Sequence, residues 1–482
     1  MVLLLACTAP SPGPVAEDPA DGPADVARPA DGWLRGDLHF HTNYSDDARE
    51  QQGDWMGPAL DIADAWRDPE WQAAFPQYAP DDHLQFVAVT DHRTDAGWSD
   101  PDFGHDFLAV LNGEEFGSDG HAGIWGAAEH VPHEPQAGED ANSRIADAID
   151  EAHATGGLFS VNHPLSDGDL WAWDVAGFDA VEVWNGPWSV LGMPTDEAAI
   201  DAWVGEHGGF ENPWIRAAAR VEGVPQNGQA LRFWYAALAD GEHPAPVGGG
   251  DRHMIFPAGL PTTYVAAADA SPEAVLAGIA VGATFVSRGP QGPQVVLEAE
   301  VAGERYAMGA ALPAGEVTVR WRVGRAAGGE LRLVGGPLGE DAPATLTTIS
   351  LATADESGTW TWTPPEGGGW LHAVVVDPLP DVPAEAQGVA DAMLVFPDAS
   401  GVTATLGAIA PLVDLEVLAD PGKCDTGDWS EWGACCMPTD TEPYGTFYVP
   451  DTLQRLMSAE FADGAPTGFA MGAVSAAFVT GG

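Results

Sequence analysis

Short apolar runs that each end in a histidine or an acid recur through the first 290 residues, and this repetition limits the chain more than any other feature. Residues 34–40 close on His39 and His41, 84–90 on His92, 107–111 on Glu114 and Glu115, and 157–161 on His163. A further run, 180–184, ends at Asn185, and Asp251 and His253 follow the glycines Gly248-Gly249-Gly250. Short apolar runs bounded by turn residues read as buried strands. Between two of them, 142–155 reads as a helix: Asn142 or Ser143 caps it, Ile145, Ala148, Ile149 and Ala152 share one face, and Gly156-Gly157 ends it. Strand, loop, helix and strand at this spacing predict an α/β unit with parallel strands over 33–290, a size that suits a barrel.

The side-chain chemistry follows from that geometry. On a strand, residues two apart point the same way, so His39 and His41 face one point, as do Asp251 and His253. In a parallel barrel the C-terminal strand ends converge on one face. That face would collect His39, His41, Asp46, His92, Glu114 or Glu115, His121, His163, Asp251 and His253, a nitrogen and oxygen donor set suited to several divalent metal ions. All histidines except His372 lie at or before position 253. Asp91 is placed to orient a ligand imidazole, Arg252 sets a cation beside the metals, and Asn162 and Asn185 sit at strand ends within reach of substrate. Trp171, Trp173, Trp184 and Trp188 are candidates to wall an apolar pocket.

The motifs Asp37-Leu38-His39-Phe40-His41-Thr42, Ser45-Asp46, Thr90-Asp91-His92, Gly113-Glu114-Glu115, Gly120-His121, Asn162-His163-Pro164 and Gly250-Asp251-Arg252-His253 resemble, in order, those of the polymerase and histidinol phosphatase (PHP) superfamily. Val181-Glu182-Val183-Trp184-Asn185-Gly186, Pro261-Thr262-Thr263-Tyr264-Val265 and Phe285-Val286-Ser287-Arg288-Gly289-Pro290 are similar to its CehA/McbA branch. The resemblance implies a distorted (β/α)7 barrel holding two or three divalent metals, zinc, manganese or iron. It assigns His39, His41, Glu115 and Asp251 to a first metal. Glu115 would bridge to a second, held by His121 and His163, and Asp46, His92 and His253 would hold a third. The family glutamate stands third in a Gly-x-Glu pattern, which selects Glu115 over Glu114. Gly250 departs from the serine usual in the site-closing motif. The stretches 67–82 and 187–246 look like insertions that would shape the substrate entrance.

The implied activity is metal-dependent hydrolysis of a small phosphate ester by a hydroxide bridging two metals. The alternatives are hydrolysis of carbamate, carboxylic ester or amide bonds, and a non-catalytic surface binding protein. The chain carries 73 acidic against 18 basic residues, net −55, which repels polyanions and disfavours nucleic acid as a partner.

Beyond Pro290, alternating Val317, Val319, Trp321 and Val323, then Leu331 with Leu333 and Trp360 with Trp362, predict a β-sandwich-like domain over 291–418. Residues 419–482, with Cys424, Cys435 and Cys436, read as a C-terminal tail. Leu4-Leu5-Ala6-Cys7 resembles a bacterial lipobox, and 1–32 reads as a signal remnant and a tether rich in Pro, Ala and Asp. Together they predict an exported protein with a lipid anchor at Cys7 and no transmembrane helix.

Overall fold

The computed structural model describes residues 32–45, 56–63, 83–166, 170–186, 195–220, 226–253, 258–378, 459–462 and 465–481. Cys7, Asp46, Trp188, the stretch 67–82 and the three late cysteines lie outside them. In the N-terminal half the elements run β1 (Trp33–Phe40), α1 (Met56–Ala63), β2 (Phe86–Val89), β3 (Ala109–Phe116), β4 (Ala122–Trp125), α2 (Ala141–Ala154), β5 (Leu158–Val161) and β6 (Ala180–Asn185). Then come α3 (Glu197–Glu206), α4 (Pro213–Ala219), α5 (Gln226–Ala239), β7 (Ala245–Gly249), β8 (Thr262–Ala266), α6 (Pro272–Ala280) and β9 (Thr284–Ser287).

Helix α2 begins one residue earlier than the sequence suggests. The Asp140 side chain accepts the Ser143 N–H at 2.8 Å, so Asp140 is the cap rather than Asn142 or Ser143. The face carrying Ile145, Ala148, Ile149 and Ala152 is the buried one. Helices α3 to α5 come from the stretch expected to be an insertion, and they pack Ile200, Trp214, Phe233 and Trp234 against the β5–β6 side of the sheet.

The architecture is mixed α/β around one large sheet. Strands β1, β2 and β3 run parallel, as do β5, β6 and β7. However, β4 is antiparallel to both β3 and β5, and β8 is antiparallel to β1. The parallel strands expected of a distorted (β/α)7 barrel are therefore interrupted at β4 and β8. The reason is local: the link from β3 to β4 spans only residues 117–121, and a parallel crossover needs a dozen residues or more.

The sheet still curls on itself. Leu38, Phe86, Leu111, Trp125, Leu158, Ala180 and Val247, one from each of β1 to β7, meet in a single cluster. The chain leaving β7 returns beside β1, where the Asp251 N–H donates to His39 O at 2.8 Å and the His41 N–H donates to Arg252 O at 3.3 Å. Gly249 makes the approach possible, because a Cβ there would stand 2.2 Å from that of His39.

The C-terminal half comprises β10 (Gln294–Val301), β11 (Glu304–Ala307), β12 (Ala311–Leu312), β13 (Val317–Gly324), β14 (Glu330–Pro337), β15 (Ala344–Ser350), β16 (Glu356–Trp362), β17 (Gly368–Pro378), β18 (Ala459–Ala462), β19 (Ala465–Ser475) and β20 (Phe478–Gly481). A four-stranded sheet, β11-β10-β13-β16, packs on an extension of the large one. Val295, Leu297, Val319 and Val323 face Leu331, Leu333, Leu371 and Val375 across that core.

Two findings amend the sequence reading. The segment assigned to a tail supplies β19 and β20, both paired with β17. Strand β19 also pairs with β9, so one sheet runs continuously from the first half into the second. Strand β17 is buried on both faces, so apolar residues fill it on both sides of the buried His372. Arg288, just past β9, forms a buried ion pair with Asp377 of β17. Among the described residues no helix is long and apolar enough to cross a membrane.

Candidate metal centre

Strand β3 presents Glu115 and Glu114 to opposite faces, as successive strand residues must be. Glu114 turns outward and accepts the Val131 N–H at 2.8 Å and pairs with His130 Nδ1. Glu115 turns inward, where five imidazoles surround it. His39 Nε2 lies 3.0 Å from its Oε1, His163 Nε2 3.1 Å and His121 Nδ1 3.3 Å. His92 Nδ1 lies 3.0 Å and His41 Nε2 3.4 Å from its Oε2. Asp251 adds a second carboxylate, with Oδ1 3.3 Å from His41 Nε2, 3.4 Å from His39 Nε2 and 3.4 Å from His253 Nδ1. All of these groups except His92 and His253 are fully buried.

Among the described residues, four overlapping sets have ligand atoms close enough to share a cation: His39, His41, Glu115 and Asp251; His92, Glu115 and His121; His41, His92 and His253; and His39, His163 and Glu182. The first set is the one the sequence motifs assign to a first metal. Glu115 and His121 form a set with His92, while His163, which the motifs place with them, lies 3.1 Å from the same Glu115 oxygen and forms a set with His39 and Glu182. His253 stacks on His41 with ring centres 4.0 Å apart and brings its Nε2 within 3.3 Å of that of His92.

The donor set fits a cation by a direct criterion. His39 Nε2, His41 Nε2 and Glu115 Oε2 are buried and make no well-directed hydrogen bond, although they lie close enough together to share one cation. Buried polar atoms are normally satisfied, so this cluster lacks a central partner that nitrogen and oxygen lone pairs can share. Electrostatics agree. Burial alone would raise the Glu115 and Asp251 carboxyls, yet His39 and its neighbours hold both well below the usual range. Burial disfavours charge on His163, yet the Glu115 carboxylate pushes it up to about 9. His41 moves the other way, lowered by burial and by the charge of His253.

The remaining predicted residues sit around this core. Asp91 touches no imidazole. Its carboxylate accepts from Thr42 N and Oγ1 at 2.7 and 2.6 Å and from Ser45 N and Oγ at 3.1 and 2.8 Å, and the Ser45 hydroxyl lies 2.8 Å from His41 Nδ1. It therefore orients His41 through Ser45. Asn162 and Asn185, expected to meet substrate, are engaged by site carboxylates: Asn162 Nδ2 donates to Glu115 at 3.1 Å, and Asn185 Nδ2 to Asp251 at 3.2 Å. Arg252 is buried beside the cluster, its guanidinium 5.4 Å from the centre of the Phe40 ring. Trp171, Trp173 and Trp184 are core residues.

Sequence reasoning gave no role to Glu182 or Asp37. Glu182 is the one carboxylate in the buried strand Ala180-Val181-Glu182-Val183-Trp184-Asn185, and that isolation was a usable signal. Asp37 accepts the N–H groups of His39, Gly250 and Gly259 at 3.0, 2.9 and 2.7 Å, tying β1 to the chain after β7, and burial pushes its carboxyl up to about 6.

No family model matches the chain, and no curated protein does. Two solved structures are distantly similar to it. One is a two-domain protein from Bacteroides vulgatus ATCC 8482 containing a predicted PHP-like metal-dependent phosphoesterase, 16% identical over 74% of this chain and 95% of that one, TM-score 0.29. The other is PsfC from Pseudomonas syringae PB-5123, 13% identical over 50% of this chain and 84% of that one, TM-score 0.27.

Proposed function

We propose that this chain is a metal-dependent hydrolase of the PHP type, with the CehA/McbA motifs on a distorted barrel, acting as a phosphoesterase on small phosphate esters. The observation that carries the proposal is the Glu115 carboxylate with five imidazole nitrogens 3.0–3.4 Å away. Ligands of one cation, bonded at roughly 2.0–2.1 Å, stand about 3–3.4 Å from each other, and these distances fit that spacing. His39, His41, Glu115 and Asp251 would hold one ion, and the remaining histidines one or two more, zinc, manganese or iron. Bound divalent ions would supply Lewis acidity and a water acidic enough to ionise near neutrality.

The chain's own residues do the rest. Glu115 joins the sites, Asp91 and Ser45 fix His41, and Asn162 and Asn185 hold the two carboxylates. His253 and Arg252 flank the cluster and are the groups to meet charge on the substrate. Two or three dications would offset the site's carboxylates and can turn the local field toward an anion even in a chain of net charge −55. The lipobox-like Leu4-Leu5-Ala6-Cys7 supports export and a lipid anchor at Cys7.

The test is to purify the protein, measure bound zinc, manganese and iron, and assay an aryl phosphate beside an aryl ester and an aryl carbamate. Stoichiometric metal and turnover of the phosphate are expected. Turnover of the ester or carbamate alone would redirect the proposal to carbonyl chemistry. Absence of metal and of turnover after metal addition would end it.

A further inference from the structure

Glu182 is buried in β6, where a carboxylate needs several hydrogen bonds to be held. Its Oε1 lies 3.2 Å from His39 Nδ1. Its Oε2 accepts the His163 backbone N–H at 2.9 Å and the Asn185 amide at 3.1 Å. The Asn185 amide also donates to Asp251 at 3.2 Å. One carboxylate thus reaches His39 and His163 directly and Asp251 through one amide.

The two nitrogens of His39 face different partners. Nε2 looks toward Glu115 and Asp251, at 3.0 and 3.4 Å, while Nδ1 looks toward Glu182 at 3.2 Å, nearer than the Asn162 amide at 3.4 Å, which also donates to Glu115. Glu182 Oε2 is already taken by two N–H donors, which suits an orienting role better than a ligating one. His163 adopts φ 22°, a conformation that a non-glycine residue holds only when its surroundings impose it, and Glu182 grips its N–H.

We infer that Glu182 is a positioning residue shared by two metal positions: it keeps the proton of His39 on Nδ1, leaving the Nε2 lone pair for a cation, and it pins the His163 backbone. The inference rests on the metal-binding reading proposed above. A carboxylate behind a ligand imidazole fixes its tautomer and raises its basicity, and losing such a partner typically weakens metal affinity about 10–100-fold.

Zinc titrations of the metal-free protein against a chromophoric chelator test it, with cobalt(II) absorption as a second readout. Glu182→Gln should keep the metal-free unfolding midpoint near that of the wild type, bind zinc about 10–100-fold more weakly and shift the cobalt spectrum. Wild-type protein that binds no zinc would overturn the metal reading itself. Wild-type binding with an unchanged affinity and spectrum in Glu182→Gln would overturn the inference alone. Histidine nitrogen NMR of the zinc-loaded wild type decides the point without a variant: His39 should carry its proton on Nδ1, and a proton on Nε2 would refute the assignment.

Discussion

Glu114 and Glu115 are neighbours in sequence and do unrelated work. Glu115→Gln removes the anionic centre of five imidazoles, so bound metal should fall below stoichiometry; Glu114→Gln should leave metal content intact, as elemental analysis of the two variants would show. A second prediction concerns proton linkage. In the metal-free protein His163 keeps its proton up to about 9, while an unfolded histidine loses it near 6.5. Unfolding therefore releases protons across that window, and stability falls as pH rises through it. The melting midpoint of chelator-treated protein should be lower near pH 9 than near pH 6.5, and a midpoint that rises would refute the sign. His372, pushed down to about 3 by burial, opposes acid in the other direction, so stability should also fall below about pH 6.5. At this scale the sequence carries the inward-facing donors, because His39-x-His41 and Asp251-x-His253 follow from strand alternation. It does not carry what stands behind them: Asp91 reaching His41 through Ser45, or Glu182 behind His39, are contacts between strands far apart in the chain.

Among the elements, the β1–β7 contact is the one that closes the site. Gly249 lies where a methyl group would collide with the Cβ of His39, and both residues are on strands that cannot move apart without separating Asp251 from His41. Gly249→Ala should cost about 1–3 kcal/mol of overpacking, read from the denaturant midpoint, and should lower metal content. The strands themselves were largely legible, since buried runs such as 84–90 and 157–161 show as continuous apolar stretches. Their directions were not. Strand β4, Ala122-Gly123-Ile124-Trp125, is too short to display a period, and only the brief glycine-containing link before it hinted at a hairpin. Similarly, the alternation of β13 was readable because one of its faces is half-exposed, whereas β17 is buried on both faces and shows no alternation.

For the whole molecule, the two halves share a sheet rather than a linker. Strand β19 lies between β9 and β17, and Tyr264 and Phe285 from the first half contribute to the core of the second. A chain truncated after residue 458 loses β18 to β20 and leaves β9 and β17 with open edges, which favour aggregation. It should fail to give a soluble folded protein, checked by solubility and circular dichroism; a folded, metal-binding truncation would show the first half to be independent. The boundary near Pro290 was visible as a change of period from mixed to two. The return of the chain to seal that boundary was not, because the apolar run 468–479 has the composition of a short tail and its partners are far off in sequence.

That placement of β19 sets the order of events when the protein is made. The backbone N–H of Arg288, just past β9, donates to the Gly472 carbonyl of β19 at 3.1 Å, from the far end of the described chain. On the ribosome, the strands that carry the histidines emerge early and must wait, with the edge of β9 exposed, until the last strands have been synthesised. Sheets joined by such distant pairings form slowly, and the waiting chain offers its edge to other chains. Yield should therefore depend on how fast β18 to β20 follow the rest, and slowed translation ahead of them is a hazard written into the topology.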